Sequence, residues 1–156
     1  MTGLRAFCVF VFVSALLFAC AGRKLRTDLP KNVSVTAELK DPDNTVKAAL
    51  FVFAIDSKCK WEQVAQYRLE PGTVELGLPA SEKFVLEFVF SATSMFSANR
   101  QISHQSPLTA KDGAKYQILA NYNKGMYFVE TKEFLAGQRA GKVIERQDPH
   151  DCQPVK

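Results

Sequence analysis

From Val33 onward the chain alternates apolar and polar side chains with a period of two, the repeat of an extended strand whose successive side chains face opposite ways. Val33, Val35, Ala37 and Leu39 alternate with Ser34, Thr36 and Glu38, and Asp41-Pro42-Asp43-Asn44 then supplies a turn. Val46 to Ile55 is almost wholly apolar and ends at Asp56-Ser57-Lys58. Trp61 to Leu69 sets Val64, Gln66 and Arg68 opposite Ala65, Tyr67 and Leu69, and Pro71-Gly72 turns the chain into a short strand, Thr73 to Leu78. Lys83 to Ser91 is the clearest element, with Phe84, Leu86, Phe88 and Phe90 on one face and Val85, Glu87 and Val89 on the other. Asp112-Gly113 reads as a hairpin turn between Ser106 to Ala110 and Lys115 to Asn121, and Pro107, lacking an N–H, confines the first of these to a sheet edge. Asn123-Lys124-Gly125 joins the strand ending at Tyr122 to Met126 to Phe134. Over Lys132 to Arg146 the residues Leu135, Ala136, Ala140, Val143 and Ile144 hint at a helix. Gly137 and Gly141 each weaken that helix by about 1 kcal/mol, so a loop and a final short strand are expected.

Seven or eight short strands without strand-helix-strand alternation predict an all-β fold, a two-layer antiparallel β-sandwich. By layout, residues 33 to 146 resemble the immunoglobulin-like and transthyretin-like domains of periplasmic lipoproteins. That resemblance implies a fold and carries no activity with it.

The first residues follow a different rule. After Arg5, Ala6 to Ala21 carry no charge, yet this run falls short of the roughly 20 residues of a membrane helix. A basic start, an apolar middle and small residues at the end make a secretory signal. Ala19-Cys20-Ala21 suits ordinary cleavage after Ala21, whereas Leu17-Phe18-Ala19-Cys20 resembles the lipobox of bacterial lipoproteins, the reading favoured here. The resemblance implies that residues 1–19 are removed, that Cys20 carries the lipid, and that Ala21 directs the chain to the outer membrane of a Gram-negative bacterium, facing the periplasm. Two or more acyl chains then anchor stably, at about 0.8 kcal/mol per buried methylene. The expected divisions are a signal peptide at 1–19, a lipidated basic tether at 20–32, the sandwich at 33–147 and a polar tail at 148–156.

In that tether Arg23, Lys24, Arg26 and Lys31 face only Asp28, which suits either a solvated linker or weak attraction to anionic head groups. Elsewhere charge is balanced. Removing the signal takes away Arg5 alone and leaves a surplus of three basic residues, an ordinary surface, so no nucleic-acid partner is expected.

With Cys8 discarded and Cys20 acylated, Cys59 and Cys152 remain, and an even pair in an exported protein predicts a disulfide. It would tie the tail to the turn at Asp56 to Lys60. Asp148-Pro149-His150-Asp151-Cys152 contains metal-binding types, but no second cluster completes a tetrahedral site, so neither a metal nor another cofactor is expected. No Gly-x-Ser-x-Gly, His-Glu-x-x-His, phosphate-binding glycine loop or Cys-x-x-Cys is present. His104 and His150 read as residues of separate polar loops, and an enzyme is not expected.

Two features point to binding. The strands around Phe51 and Phe53 and around Val85 and Val89 are apolar on both faces, although a sandwich strand needs only one. The second face is expected to be covered by the pinned C-terminal segment, with a docked partner as the alternative. Ser91 to Ser106 reads as a long polar loop around Met95 and Phe96, a candidate contact site. The expected function is a non-catalytic binding or accessory subunit of a cell-envelope assembly, with the membrane and an envelope protein as partners. The competing expectation is a lipoprotein that binds glycan fragments or inhibits an enzyme.

Overall fold

The structure, a computed structural model, describes residues 24–41, 45–93, 100–144 and 152. Nine strands follow in chain order: β1 (Val33–Lys40), β2 (Thr45–Ile55), β3 (Trp61–Leu69), β4 (Gly72–Leu76), β5 (Lys83–Thr93), β6 (Arg100–Thr109), β7 (Lys115–Asn123), β8 (Met126–Phe134) and β9 (Lys142–Val143). They form the expected all-β sandwich, with a five-stranded sheet ordered β4-β1-β7-β8-β9 and a four-stranded sheet ordered β3-β2-β5-β6.

Alternation decides which side chains fill the space between the sheets. Ala48, Leu50, Val52 and Ala54 of β2 and Phe84, Leu86, Phe88 and Phe90 of β5 point inward and meet Val33, Val35, Tyr116, Ile118, Ala120 and Tyr122 of the other sheet in one buried cluster. In β3 strict alternation fails. The register slips between Val52 and Phe53, a bulge that leaves Val64 without an opposite residue while keeping it buried.

Three expectations are corrected. The sandwich is not wholly antiparallel, because β1 pairs with β7 in parallel from Val33 opposite Tyr116 to Lys40 opposite Asn123. Such a pairing joins residues some 80 positions apart, and no local turn signal announces it. Ser91 to Ser106 is not one long loop, since β5 runs on to Thr93 and β6 starts at Arg100. An edge strand whose inward positions include His104 and Ser106 carries too weak an alternation to be read as one. His104 accordingly lies on β6 opposite Phe88, not in a loop. The final short strand expected near the C-terminus is β9.

The N-terminal residues 24–32 lie against the sandwich instead of extending from it. The Leu25 N–H donates to the Val64 carbonyl at 2.9 Å, at the bulge on the outer edge of β3, and Leu25 packs on the core. Asn32 is clamped at both ends of its amide, donating to the Leu78 carbonyl and accepting from the Leu78 N–H, each at 2.8 Å. Gly77 makes the close passage possible, because a Cβ there would sit 2.8 Å from the Leu29 Cβ and the Pro30 oxygen.

Candidate functional site

The outward face of the four-stranded sheet carries Ala49, Phe51, Phe53 and Ile55 of β2 beside Val85 and Val89 of β5. The molecule treats its two halves differently. At the β3 start, Cys59 is bonded to Cys152 with a Cα separation of 4.9 Å, and the Trp61 indole donates to the Cys152 carbonyl at 3.2 Å. Phe53 packs against Trp61 with ring centroids 5.9 Å apart. Val85, whose register partners are Phe53 and Pro107, is 0% exposed despite facing outward. This half is partly covered, with Phe53 and Trp61 half-buried, and the expected disulfide pins Cys152 beside it; residues 145–151, the rest of the expected cover, lie outside the described residues.

The other half is open. Lys47, Ala48, Ala49, Phe51, Gln66, Arg68, Val89, Ser91 and Gln101 line a groove of about 520 Å³. Cross-strand pairing builds it: Ala49 stands between Arg68 and Val89, and Phe51 stands opposite Gln66. The floor is apolar, two cations stand on it, and two amides and a hydroxyl rim it. Arg68 reaches Glu70 only at 3.6 Å with both side chains exposed, an ion pair too weak to immobilise it. The lining offers apolar contact on Phe51 with hydrogen-bonding groups and positive charge around it.

A second cluster is structural in kind. Glu133 on β8 is 7% exposed and accepts from the Tyr116 hydroxyl at 3.1 Å and from the Lys111 amine at 2.8 Å. The Lys111 N–H in turn donates to the Tyr116 oxygen at 2.9 Å, closing the turn between β6 and β7. Burial raises the Tyr116 phenol above its ordinary pKa, and the Glu133 hydrogen bond raises the Lys111 amine.

Of the residues singled out from the sequence, Phe51 and Phe53 share a face but not an environment, one lining the groove and the other packed against Trp61. Cys20, Met95 and Phe96 lie outside the described residues, as does His150. His104 faces Tyr127 edge-on with ring centroids 5.9 Å apart. Among the described residues no three His, Cys, Asp or Glu side chains converge as a metal site, and no helix is long and apolar enough to cross a membrane. Sequence reasoning missed the outer half of β8, where Met126, Tyr127 and Phe128 are 74%, 39% and 52% exposed. Its signal was three consecutive large apolar residues directly after a hairpin turn.

No protein-family model matches the chain, and no curated protein matches it in sequence.

Proposed function

We propose that this chain is a lipid-anchored, non-catalytic binding or accessory subunit of a cell-envelope assembly, attached through Cys20 to the outer membrane and facing the periplasm. The observation that supports it most is the half-covered outer face: Val85 is buried and Phe53 packs against Trp61, while Phe51, on the same strand as Phe53, lines an open groove beside Lys47 and Arg68. A partner segment that brings an apolar side chain onto Phe51 and a carboxylate to the two cations is complementary to it.

The N-terminal segment adds a geometric consequence. With Leu25 fixed at Val64, only residues 20–24 remain between a lipid on Cys20 and the folded domain, a reach of about 17 Å when extended. The domain would ride on the bilayer surface, and its partner would belong to the same membrane or to the space immediately beneath it.

Two variants of the full chain test the proposal. Cys20→Ser should release the protein from membranes washed in high salt, and Phe51→Ser with Arg68→Glu should abolish co-purification with the envelope partner while thermal unfolding stays near wild type. Retention of Cys20→Ser on washed membranes, or an unchanged partner in the groove variant, would refute it.

A second reading rests on the groove rim. Gln66, Gln101 and Ser91 around Phe51 suit the hydroxyls and the apolar face of a sugar. Titration calorimetry with soluble glycan fragments distinguishes the two, because heat that disappears in Phe51→Ser favours a glycan binder.

A further inference from the structure

We propose that the disulfide between Cys59 and Cys152 is a reversible redox latch on the outer face: a dithiol opens it in the folded protein, frees Cys152 from Trp61, and lengthens the apolar floor of the groove from Phe51 to Phe53. Neither cysteine belongs to the buried core cluster, and both are half-buried. The inward rows of β2 and β5 therefore pack without the bond, and the bond lies where a thiol reaches it. Cys59 also holds a backbone conformation that its side chain disfavours, with φ of 60°, the left-handed region that turns fill with Gly or Asn. The turn imposes it. The Asp56 N–H donates to the Lys60 carbonyl and the Cys59 N–H to the Asp56 carbonyl, each at 3.1 Å, while the Asp56 carboxylate accepts from the Lys58 and Lys60 N–H groups. Glycine would satisfy the same turn with less strain, so what a cysteine brings to this position is its sulfur.

The charges around Cys59 set the direction of opening. Lys58 and Lys60 flank it, both exposed, whereas the Asp56 carboxylate is turned to backbone N–H groups. A thiolate leaving from Cys59 departs between two ammonium groups, which stabilise it as the leaving group. The thiolate of an incoming dithiol attacks the Cys152 Sγ, the S–S bond breaks, and its electron pair leaves on the Cys59 Sγ, which takes up a proton. The second thiol of the reductant then attacks the mixed disulfide and releases Cys152 as a thiol. Two electrons and two protons pass to the protein, and the dithiol departs as a disulfide. With Cys152 free, the Trp61 indole loses the carbonyl it held at 3.2 Å. Phe53 packs on that ring and lies two residues from Phe51 on β2, so the accessible floor grows by about 7 Å along the strand. The consequence for a partner, though not the opening itself, rests on the groove being a partner site.

The test uses the full chain with Cys8→Ser and Cys20→Ser, which leaves only the two latch cysteines. Dithiothreitol is added without denaturant, and Trp61 emission and free thiols are followed together. Emission should shift to the red while the far-ultraviolet β-sheet signal stays, the opening rate should rise in proportion to dithiothreitol, and oxidised glutathione should restore the starting spectrum. Binding of the apolar dye anilinonaphthalene sulfonate should increase on opening. Lys58→Gln with Lys60→Gln should slow opening by about fivefold, whereas Lys124→Gln should leave it unchanged. A bond that yields only at the rate of global unfolding, an emission unmoved by reduction, or an opening rate indifferent to the two lysines would overturn the proposal. Partner capture that still depends on Phe51 and Arg68 while the latch stays shut sinks the latch alone. A latch that opens as stated, in a chain whose groove variant keeps its partner, supports the latch and sinks the groove as the partner site.

Discussion

Glu133 is the one buried charged side chain among the described residues, and its two partners decide what its loss does. Glu133→Ala removes the acceptor of the Tyr116 hydroxyl and leaves that group only the Thr109 carbonyl at 3.5 Å. A buried hydroxyl left with so long a donor bond predicts a loss of about 2 kcal/mol, against about 1 kcal/mol for Glu133→Gln, which keeps an acceptor; urea midpoints at constant m-value read the difference. The same phenol has its pKa raised, chiefly by burial, so its contribution is present below the ordinary phenol range and is lost as pH rises through the higher folded value. Asp56 behaves in the opposite sense. Its carboxylate accepts the backbone N–H groups of Lys60 and Lys58, each at 2.8 Å, and these bonds, Lys60 foremost, hold its pKa below the usual carboxylate range. Stability from Asp56 is therefore present above the unfolded carboxylate pKa and is lost as pH falls through the lowered one. The melting-temperature gap between wild type and Asp56→Ala should be widest near neutrality and narrow steadily under acid, when followed by calorimetry from pH 7 to pH 2.5.

Elements were legible where both local period and burial agree. In β5 Phe84, Leu86, Phe88 and Phe90 take every second position and all four are buried, so a strand and its inward face follow from the residues alone. In β6 the same inward row reads Ile102, His104, Ser106 and Leu108, polar at two of four positions because a margin strand is half wetted, and composition points to a loop. In β3 the bulge at Val64 shifts the period midway, and no residue type there marks it. The candidate site was legible in part: a two-faced apolar β2 flags Phe51 and Phe53 together, but separating them requires knowing that Trp61 and Cys152 fold over one end only. Their substitutions should differ accordingly. Phe53→Ser strips the packing from beneath Trp61 and should cost about 2 to 4 kcal/mol, whereas Phe51→Ser at the open groove should stay within about 1 kcal/mol of wild type in urea unfolding.

At the scale of the whole molecule, both described ends of the chain converge on β3, with Leu25 on the Val64 carbonyl and Cys152 joined to Cys59 and held by Trp61. The parallel pairing of β1 with β7 closes the opposite sheet, so β3 would otherwise be a margin attached through β2 alone. Reduction of the disulfide frees a loop of 93 residues in the unfolded chain, which in the chain-entropy model removes about 4 to 5 kcal/mol of stability. The loss should be local before it is global. Trp61 is the single tryptophan of the sequence, and detaching Cys152 removes the acceptor of its indole and exposes it to water. Cys152→Ser should thus red-shift tryptophan emission under native conditions and lower the urea midpoint. The groove around Phe51 lies toward the far end of β2, where the ladder from β3 to β5 continues without the disulfide, and its binding should survive at low denaturant. Emission unchanged in Cys152→Ser would mean that the tail is held at Trp61 by contacts other than the disulfide. Groove binding lost together with the emission shift would mean that the two halves of the face unfold as one cooperative unit.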